Sequence, residues 1–115
     1  MGMKGIVAFL SGLALLTLSA SAVAQPIPGQ PGWLDTAVFY QIYPSSFQDS
    51  DGDGIGDIPG ITSRLEYVRS VGVNAIWLNP IFWSSWKDGG YDVIDYYLCD
   101  PRFGTNDDVV AMIEK

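Results

Sequence analysis

Asp49-Ser-Asp-Gly-Asp-Gly-Ile-Gly-Asp57 is a Gly-rich acidic loop, and what flanks it decides the fold. Before it, Ala37-Val-Phe-Tyr-Gln-Ile-Tyr43 is β-branched and aromatic on both faces and stops at Pro44, the pattern of a strand covered on both sides in a parallel sheet. After it, Ile61, Leu65 and Val68 recur at helical spacing, with Tyr67 and Val71 beside them and Ser63, Arg64, Glu66 and Arg69 facing away. That spacing predicts one amphipathic helix of about three turns. Asp57 is placed to cap its start, Pro59 falls in its first turn and Gly72 stands where a C-terminal cap belongs. Val73-Asn-Ala-Ile-Trp-Leu78 then reads as a second short buried strand, ended by Asn79-Pro80. Strand, helix, strand in this order is a right-handed βαβ unit, and the fold class is α/β.

Outward from this unit the chain changes character. Met1–Ala24 carries one basic residue, Lys4, an apolar run from Ile6 to Leu18, and the small residues Ala22 and Ala24 at the spacing of a cleavage site. This is the pattern of a secretory signal peptide, and it predicts a mature chain from Gln25 that is secreted or periplasmic, with no stable membrane anchor. The apolar run is shorter than the roughly 20 residues a membrane span needs. Residues 25–32 form a Pro/Gly spacer, and Trp33 opens the folded part. Beyond Pro80 the text reads as irregular up to Gly104. Thr105-Asn-Asp-Asp108 then supplies an N-cap with an acid at the third position, followed by Val109, Val110, Met112 and Ile113. A second helix begins there, and Lys115 falls inside it, so the sequence reads as truncated.

Composition removes several chemistries. A formal charge of −7 argues against nucleic acid, whose phosphates demand Lys and Arg. The absence of histidine excludes a Ser-His-Asp or Cys-His site and His-rich zinc from this chain. Cys99 is the sole cysteine and cannot form an internal disulfide; beside Tyr97 and Leu98 it reads as a small buried apolar residue.

The acidic loop suits a hard cation. Calcium takes about six to eight oxygen ligands at about 2.3–2.6 Å, and short acids spaced by two on a tightly turning backbone converge on one point. Counting from Asp49, acids stand at positions one, three, five and nine, and Ile55 at seven has a backbone carbonyl to offer. Position twelve is Gly60, where an EF-hand needs its bidentate Glu. A calcium-binding adhesion module of dockerin type is one alternative, although only one copy of the repeat is present. A solvated Gly-Asp turn without metal is another, opposed by the mutual repulsion of four carboxylates.

Ala37-Val-Phe-Tyr-Gln-Ile-Tyr-Pro44, Asp51-Gly-Asp-Gly-Ile-Gly-Asp-Ile-Pro-Gly-Ile61, Gly72-Val-Asn-Ala-Ile-Trp-Leu-Asn-Pro-Ile81, Gly90-Tyr-Asp-Val-Ile-Asp-Tyr-Tyr97 and Asp100-Pro-Arg-Phe-Gly-Thr105 follow in order. Together they resemble the N-terminal part of the α-amylase superfamily of glycoside hydrolases, most closely its α-glucosidase and oligo-1,6-glucosidase branch. The resemblance implies that residues 33–115 are the first two βα units of a (β/α)8 barrel, whose βα loops build the site. It implies a structural calcium ion held by Asp49, Asp51, Asp53, the Ile55 carbonyl and Asp57. It implies that Tyr91 stacks on a glucose ring and that Asp88 binds hydroxyls at the non-reducing end of an α-glucan or gluco-oligosaccharide. Asp92 and Asp95 are expected to hold their loop by hydrogen bonds, with Trp77, Phe82, Trp83 and Trp86 mainly packing. The family reaction cleaves an α-glucosidic bond with retention, using carboxylates from later strands, so this chain is expected to contain no catalytic residue and to be inactive alone. Transglycosylating or isomerising relatives, such as trehalose synthases, fit the same words. Ser45 stands where many relatives carry Arg, and Phe82–Lys87 follows no familiar version closely.

Overall fold

The computed structural model describes residues 27–115. The signal-peptide expectation, and the first two residues of the spacer, lie outside them. A 3-10 turn, Gly32–Thr36, leads into strand β1 (Phe39–Ile42), then a short turn at Pro44–Ser46 and the acidic loop. Helices α1 (Ile58–Ser63) and α2 (Leu65–Ser70) follow, then β2 (Ala75–Leu78). Strands β3 (Phe82–Ser84) and β4 (Val93–Cys99) precede helix α3 (Asn106–Glu114).

β1 and β2 pair in parallel, from Phe39 opposite Ala75 to Ile42 opposite Leu78. The first expected strand was longer at both ends and the second at its start, and the flanking residues do extend the contact. Val38 donates its N–H to Asn74 Oδ1 at 2.7 Å, Asn74 Nδ2 donates to the Thr36 carbonyl, and Asn79 N–H closes the other end on the Ile42 carbonyl at 2.9 Å. A side-chain amide thus continues the ladder where the backbones diverge.

The single three-turn helix is corrected to two short ones. The junction residue Arg64 has φ −105° and ψ 5°, off the helical basin, and its N–H closes a tight bond on the Ile61 carbonyl. Two hydroxyls just before it fold back on the helix: Thr62 Oγ1 donates to the Ile58 carbonyl at 2.8 Å and Ser63 Oγ to the Gly60 carbonyl at 2.7 Å. Such back-bonding competes with the regular helix ladder and bends it. The predicted ends hold. Asp57 caps α1 by accepting the Gly60 N–H at 2.6 Å, Pro59 lies in the first turn, and Gly72 follows α2 in the left-handed region at φ 89°.

Ile42, Ile58, Ile61, Val68 and Phe103 form the buried core, with Leu65, Leu78, Val109 and Met112 packed around it. Gly60 is required by this packing, since a Cβ there would lie 2.0 Å from the Gln48 carbonyl oxygen. Within the described residues the strand pair is buried on one side. Phe39 is 50% exposed and Trp77 60%, while Ile42 is 1% exposed. Helices α1 and α2 cover one side of the pair, and among the described residues nothing covers the other.

The stretch after Pro80, expected to be irregular, contains an antiparallel hairpin. Phe82 pairs with Cys99, Trp83 with Asp95 and Ser84 with Val93, with register irregularities between these pairs. The run Val93-Ile-Asp-Tyr-Tyr-Leu-Cys99 is β-branched and aromatic, and that composition was its strand signal. Helix α3 begins as expected, with a capping box in which Thr105 Oγ1 accepts the Asp108 N–H at 3.2 Å and Asp108 Oδ2 accepts the Thr105 N–H at 2.8 Å. The Thr105 hydroxyl bond also holds the Asp108 carboxyl below its ordinary pKa. Among the described residues no helix is long and apolar enough to cross a membrane.

Candidate sugar-contact loop and cation loop

Two loops project from this framework. In the acidic loop each carboxylate turns back on the N–H groups that follow it. Asp49 Oδ1 accepts from Asp51 at 3.1 Å and Gly52 at 2.7 Å, and its Oδ2 accepts from Gly54 at 2.8 Å. Asp51 Oδ1 accepts from Asp53 at 3.1 Å, and Asp53 Oδ1 from Ile55 at 2.7 Å. The Gly52 and Gly54 amides hold the Asp49 carboxyl below its ordinary pKa. Asp57, buried at the base of the loop, caps α1 with one oxygen and accepts from the Ser50 N–H and Oγ, both at 2.9 Å, with the other.

Carboxylate oxygens of Asp49, Asp51 and Asp57 lie within 4.8 Å of one another. Two ligands of one calcium ion are at most about 5 Å apart, so these three fit a shared hard cation in spacing and in donor type. The Asp53 carboxylate, expected in the same set, is not in that group; it is exposed and bonded to Ile55 N–H. Ile55 is half-buried and packs its side chain against the core, which anchors the loop end from which its carbonyl would be offered.

The second loop joins β3 to β4. Asp92 organises it: Oδ2 accepts from Ser85 Oγ and from the Lys87 N–H at 2.9 Å, and Oδ1 accepts from the Asp88 N–H at 3.3 Å. The Ser85 hydroxyl first, and the Lys87 amide second, lower the Asp92 pKa to about 2. Asp92 thus holds its loop as expected, whereas Asp95 lies within β4 and accepts the Tyr97 N–H of the same strand at 2.7 Å. Asp88 and Tyr91 share one turn, closed by Tyr91 N–H on the Asp88 carbonyl at 3.0 Å. Both are solvent-exposed, Tyr91 by 62%, so an aromatic face and a carboxylate stand free at the tip of a fixed loop. Of the four aromatics assigned to packing, Trp86 meets that role by contacting Phe103 edge-on at 5.4 Å, and Phe82 lies against Tyr96 at 5.6 Å. Trp77 and Trp83 are largely exposed.

Sequence reasoning missed the group that seats this loop. Asp100, 1% exposed, accepts from two of the three guanidinium nitrogens of Arg102, Nε at 2.9 Å and Nη2 at 3.1 Å, and also accepts the Ser84 N–H at 3.3 Å. Arg102 in turn stacks over the Trp86 ring, 4.2 Å from its centroid. Phe103 is fully buried, and its carbonyl accepts the Ile58 N–H at 2.8 Å, satisfying a free donor at the start of α1. The signal for it was an Asp two residues before an Arg at a strand end. Cys99 is half-buried; burial first, then the charges of Asp100 and Asp108, push its thiol pKa up to about 11, in keeping with an unreactive packing residue.

Residues 41–115 match the family model "Alpha amylase, catalytic domain". The chain belongs to the α-amylase family. It is 47% identical over 106 residues to an alpha-glucosidase of Culex pipiens and 53% identical over 102 residues to maltase A2 of Drosophila melanogaster, covering 92% and 89% of this chain. In each case it spans 18% of the relative's length. Among solved structures, isomaltulose synthase from Protaminobacter rubrum superposes with a TM-score of 0.70 at 47% identity, over 74% of this chain and 15% of that one. Membership of the α-amylase family sets aside the adhesion-module alternative. The parallel β1–β2 pair with its intervening helices belongs to the barrel architecture of those enzymes, and the described residues form no closed barrel.

Proposed function

We propose that this chain is the amino-terminal part of a secreted retaining hydrolase that acts on α-glucosidic bonds of oligo- or polysaccharides, inactive in isolation. The observation that carries this reading is the Asp88–Tyr91 turn, exposed at its tip and braced by Asp92 beneath. The Tyr91 ring offers a flat apolar face to the C–H side of a pyranose, and the Asp88 carboxylate suits a pair of sugar hydroxyls. Bracing by Asp92 fixes that geometry before the sugar arrives, so little ordering is needed on binding.

Asp49, Asp51 and Asp57, with the Ile55 carbonyl, would hold a structural calcium ion. When bound, the ion supplies positive charge that relieves the repulsion of clustered carboxylates and ties them together. Asp57 links the ion's position to the framework, because the same carboxylate caps α1.

The breaking of the glycosidic bond falls to two carboxylates about 5–5.5 Å apart, contributed by barrel strands that follow these two. A share of 18% of the relatives' length supports placing them beyond Lys115. The apolar run Ile6–Leu18 ahead of Ala22 and Ala24 supports export.

The intact protein is to be assayed on maltose, isomaltose and p-nitrophenyl α-glucoside with the anomer of the first product followed by NMR. Release of α-glucose from at least one is expected; an intact, folded protein that cleaves none overturns the reading. Residues 25–115 alone should turn over none of the three. A second reading, sugar transfer rather than hydrolysis, is favoured by the likeness to isomaltulose synthase. Incubation with sucrose separates the two, since transfer yields an isomeric disaccharide where hydrolysis yields monosaccharides.

A further inference from the structure

Trp86 has a left-handed backbone at φ 59°, a conformation a bulky residue keeps only when its surroundings over-determine it. Three contacts do so: the Arg102 guanidinium 4.2 Å from the ring centroid, the Phe103 edge at 5.4 Å, and Ser84 Oγ, which accepts the Trp86 N–H at 3.3 Å. The indole also packs against Gly90, where an added Cβ would lie 2.9 Å from Trp86 Cζ3. Gly90 adjoins Tyr91, so a shift of the indole displaces the backbone that presents the exposed ring. Arg102 has no freedom of its own, because the buried Asp100 carboxylate grips its guanidinium at two nitrogens.

Resting on the sugar-contact reading above, we propose that Arg102 is a positioning residue, acting through the Trp86 ring to hold the Asp88–Tyr91 turn in the conformation that accepts a glucose unit. It touches no substrate. Its guanidinium meets the carboxylate with two donors and sits over the indole ring at once, which a lysine ammonium cannot reproduce. The contacts held this way serve substrate and transition state alike, so their loss falls on binding rather than turnover.

The test uses the intact enzyme. Arg102→Met keeps the aliphatic stem and is expected to raise KM for its best α-glucoside about tenfold with kcat changed by less than about twofold. Arg102→Lys keeps the charge opposite Asp100 and is expected to raise KM about threefold, intermediate between the two. Trp86→Leu should raise KM by itself, and adding Arg102→Met to it should raise KM no further, because the two act in series. An active Arg102→Met enzyme with unchanged KM overturns the proposal, as does additivity of the two substitutions. If Arg102→Met does not fold, unchanged KM in Arg102→Lys overturns it equally. These outcomes are separate from failure of the functional reading, which would show first as a wild-type enzyme that cleaves no α-glucoside.

Discussion

The acidic loop and the sugar-contact loop are both fixed by aspartates, but at different ranges. From Asp49 to Ile55 every carboxylate bonds an N–H two to five residues ahead, so the loop's shape is written almost entirely within itself. The loop between β3 and β4 is braced locally by Asp92, yet its base is set by Asp100 and Arg102, which reach Ser84 from 16 and 18 residues away. A self-contained loop arrives pre-shaped and keeps unspent negative charge for a cation. A loop seated by a distant segment takes its shape from tertiary packing, and its presentation of Tyr91 is only as firm as that packing.

The largest expected effect tests whether the acidic loop is as independent as its bonds suggest. Gly60→Ala drives a Cβ to 2.0 Å from the Gln48 carbonyl, between the strand side and the helix start, and should destabilise the intact protein by more than about 3 kcal/mol in urea unfolding. A smaller loss would mean that the loop and helix separate at little cost. Next, Asp100→Asn takes the ionic partner from Arg102. Because Arg102 is one-third exposed and can rehydrate, the loss should be about 2 kcal/mol rather than the larger cost of a fully buried orphan charge. Asp57→Ala removes the α1 cap and both Ser50 bonds, for about 1–2 kcal/mol, and should also abolish calcium binding measured by isothermal titration. Unaltered calcium affinity would detach the ion from the group Asp49, Asp51 and Asp57.

The smallest effect concerns Asp92. Its folded pKa of about 2 lies below the ordinary 3.8, so its contribution is fully present above about pH 4 and is lost as pH falls through about 2. Carbon-detected NMR titration should place the Asp92 midpoint near 2, and Ser85→Ala should move it upward, since the Ser85 hydroxyl is the largest cause of the depression. A midpoint near 3.8 in the native protein would dissolve the local half of the comparison.

What was legible in the sequence follows the same division. The Asp57 cap, the Gly72 stop and the Thr105–Asp108 capping box are short-range devices, each readable from residues within a few positions, whereas the parallel pairing of Phe39 with Ala75 spans 36 residues and was readable from the strand–helix–strand order. The break at Arg64 depended on two hydroxyls choosing helix carbonyls over water, which periodicity does not record. The β3–β4 hairpin was not legible because β3 is three residues long and its register with β4 is irregular, so no regular alternation marks it. Asp100 and Arg102 pair two positions apart, but what they seat, Ser84 and Trp86, lies 16 residues upstream and left no mark beside them in the sequence. Of the expected cation ligands, spacing by two predicted four equivalent acids. Asp49, Asp51 and Asp57 bring carboxylate oxygens within 4.8 Å of one another, and the Asp53 carboxylate, bonded to Ile55 N–H, stands beside that group rather than in it.

The Ile58 N–H bond to the Phe103 carbonyl has a consequence in time. These groups are about 45 residues apart, so at a ribosomal rate of roughly 5–20 residues per second the first helix waits some 2–9 s before its opening donor finds its acceptor. Until then Ile58 and Ile61 lack the Phe103 ring that helps bury them, and the nascent chain shows chaperones an apolar surface. The order of synthesis therefore leaves the cation loop attached to an unfinished helix until the Asp100–Thr105 segment has emerged.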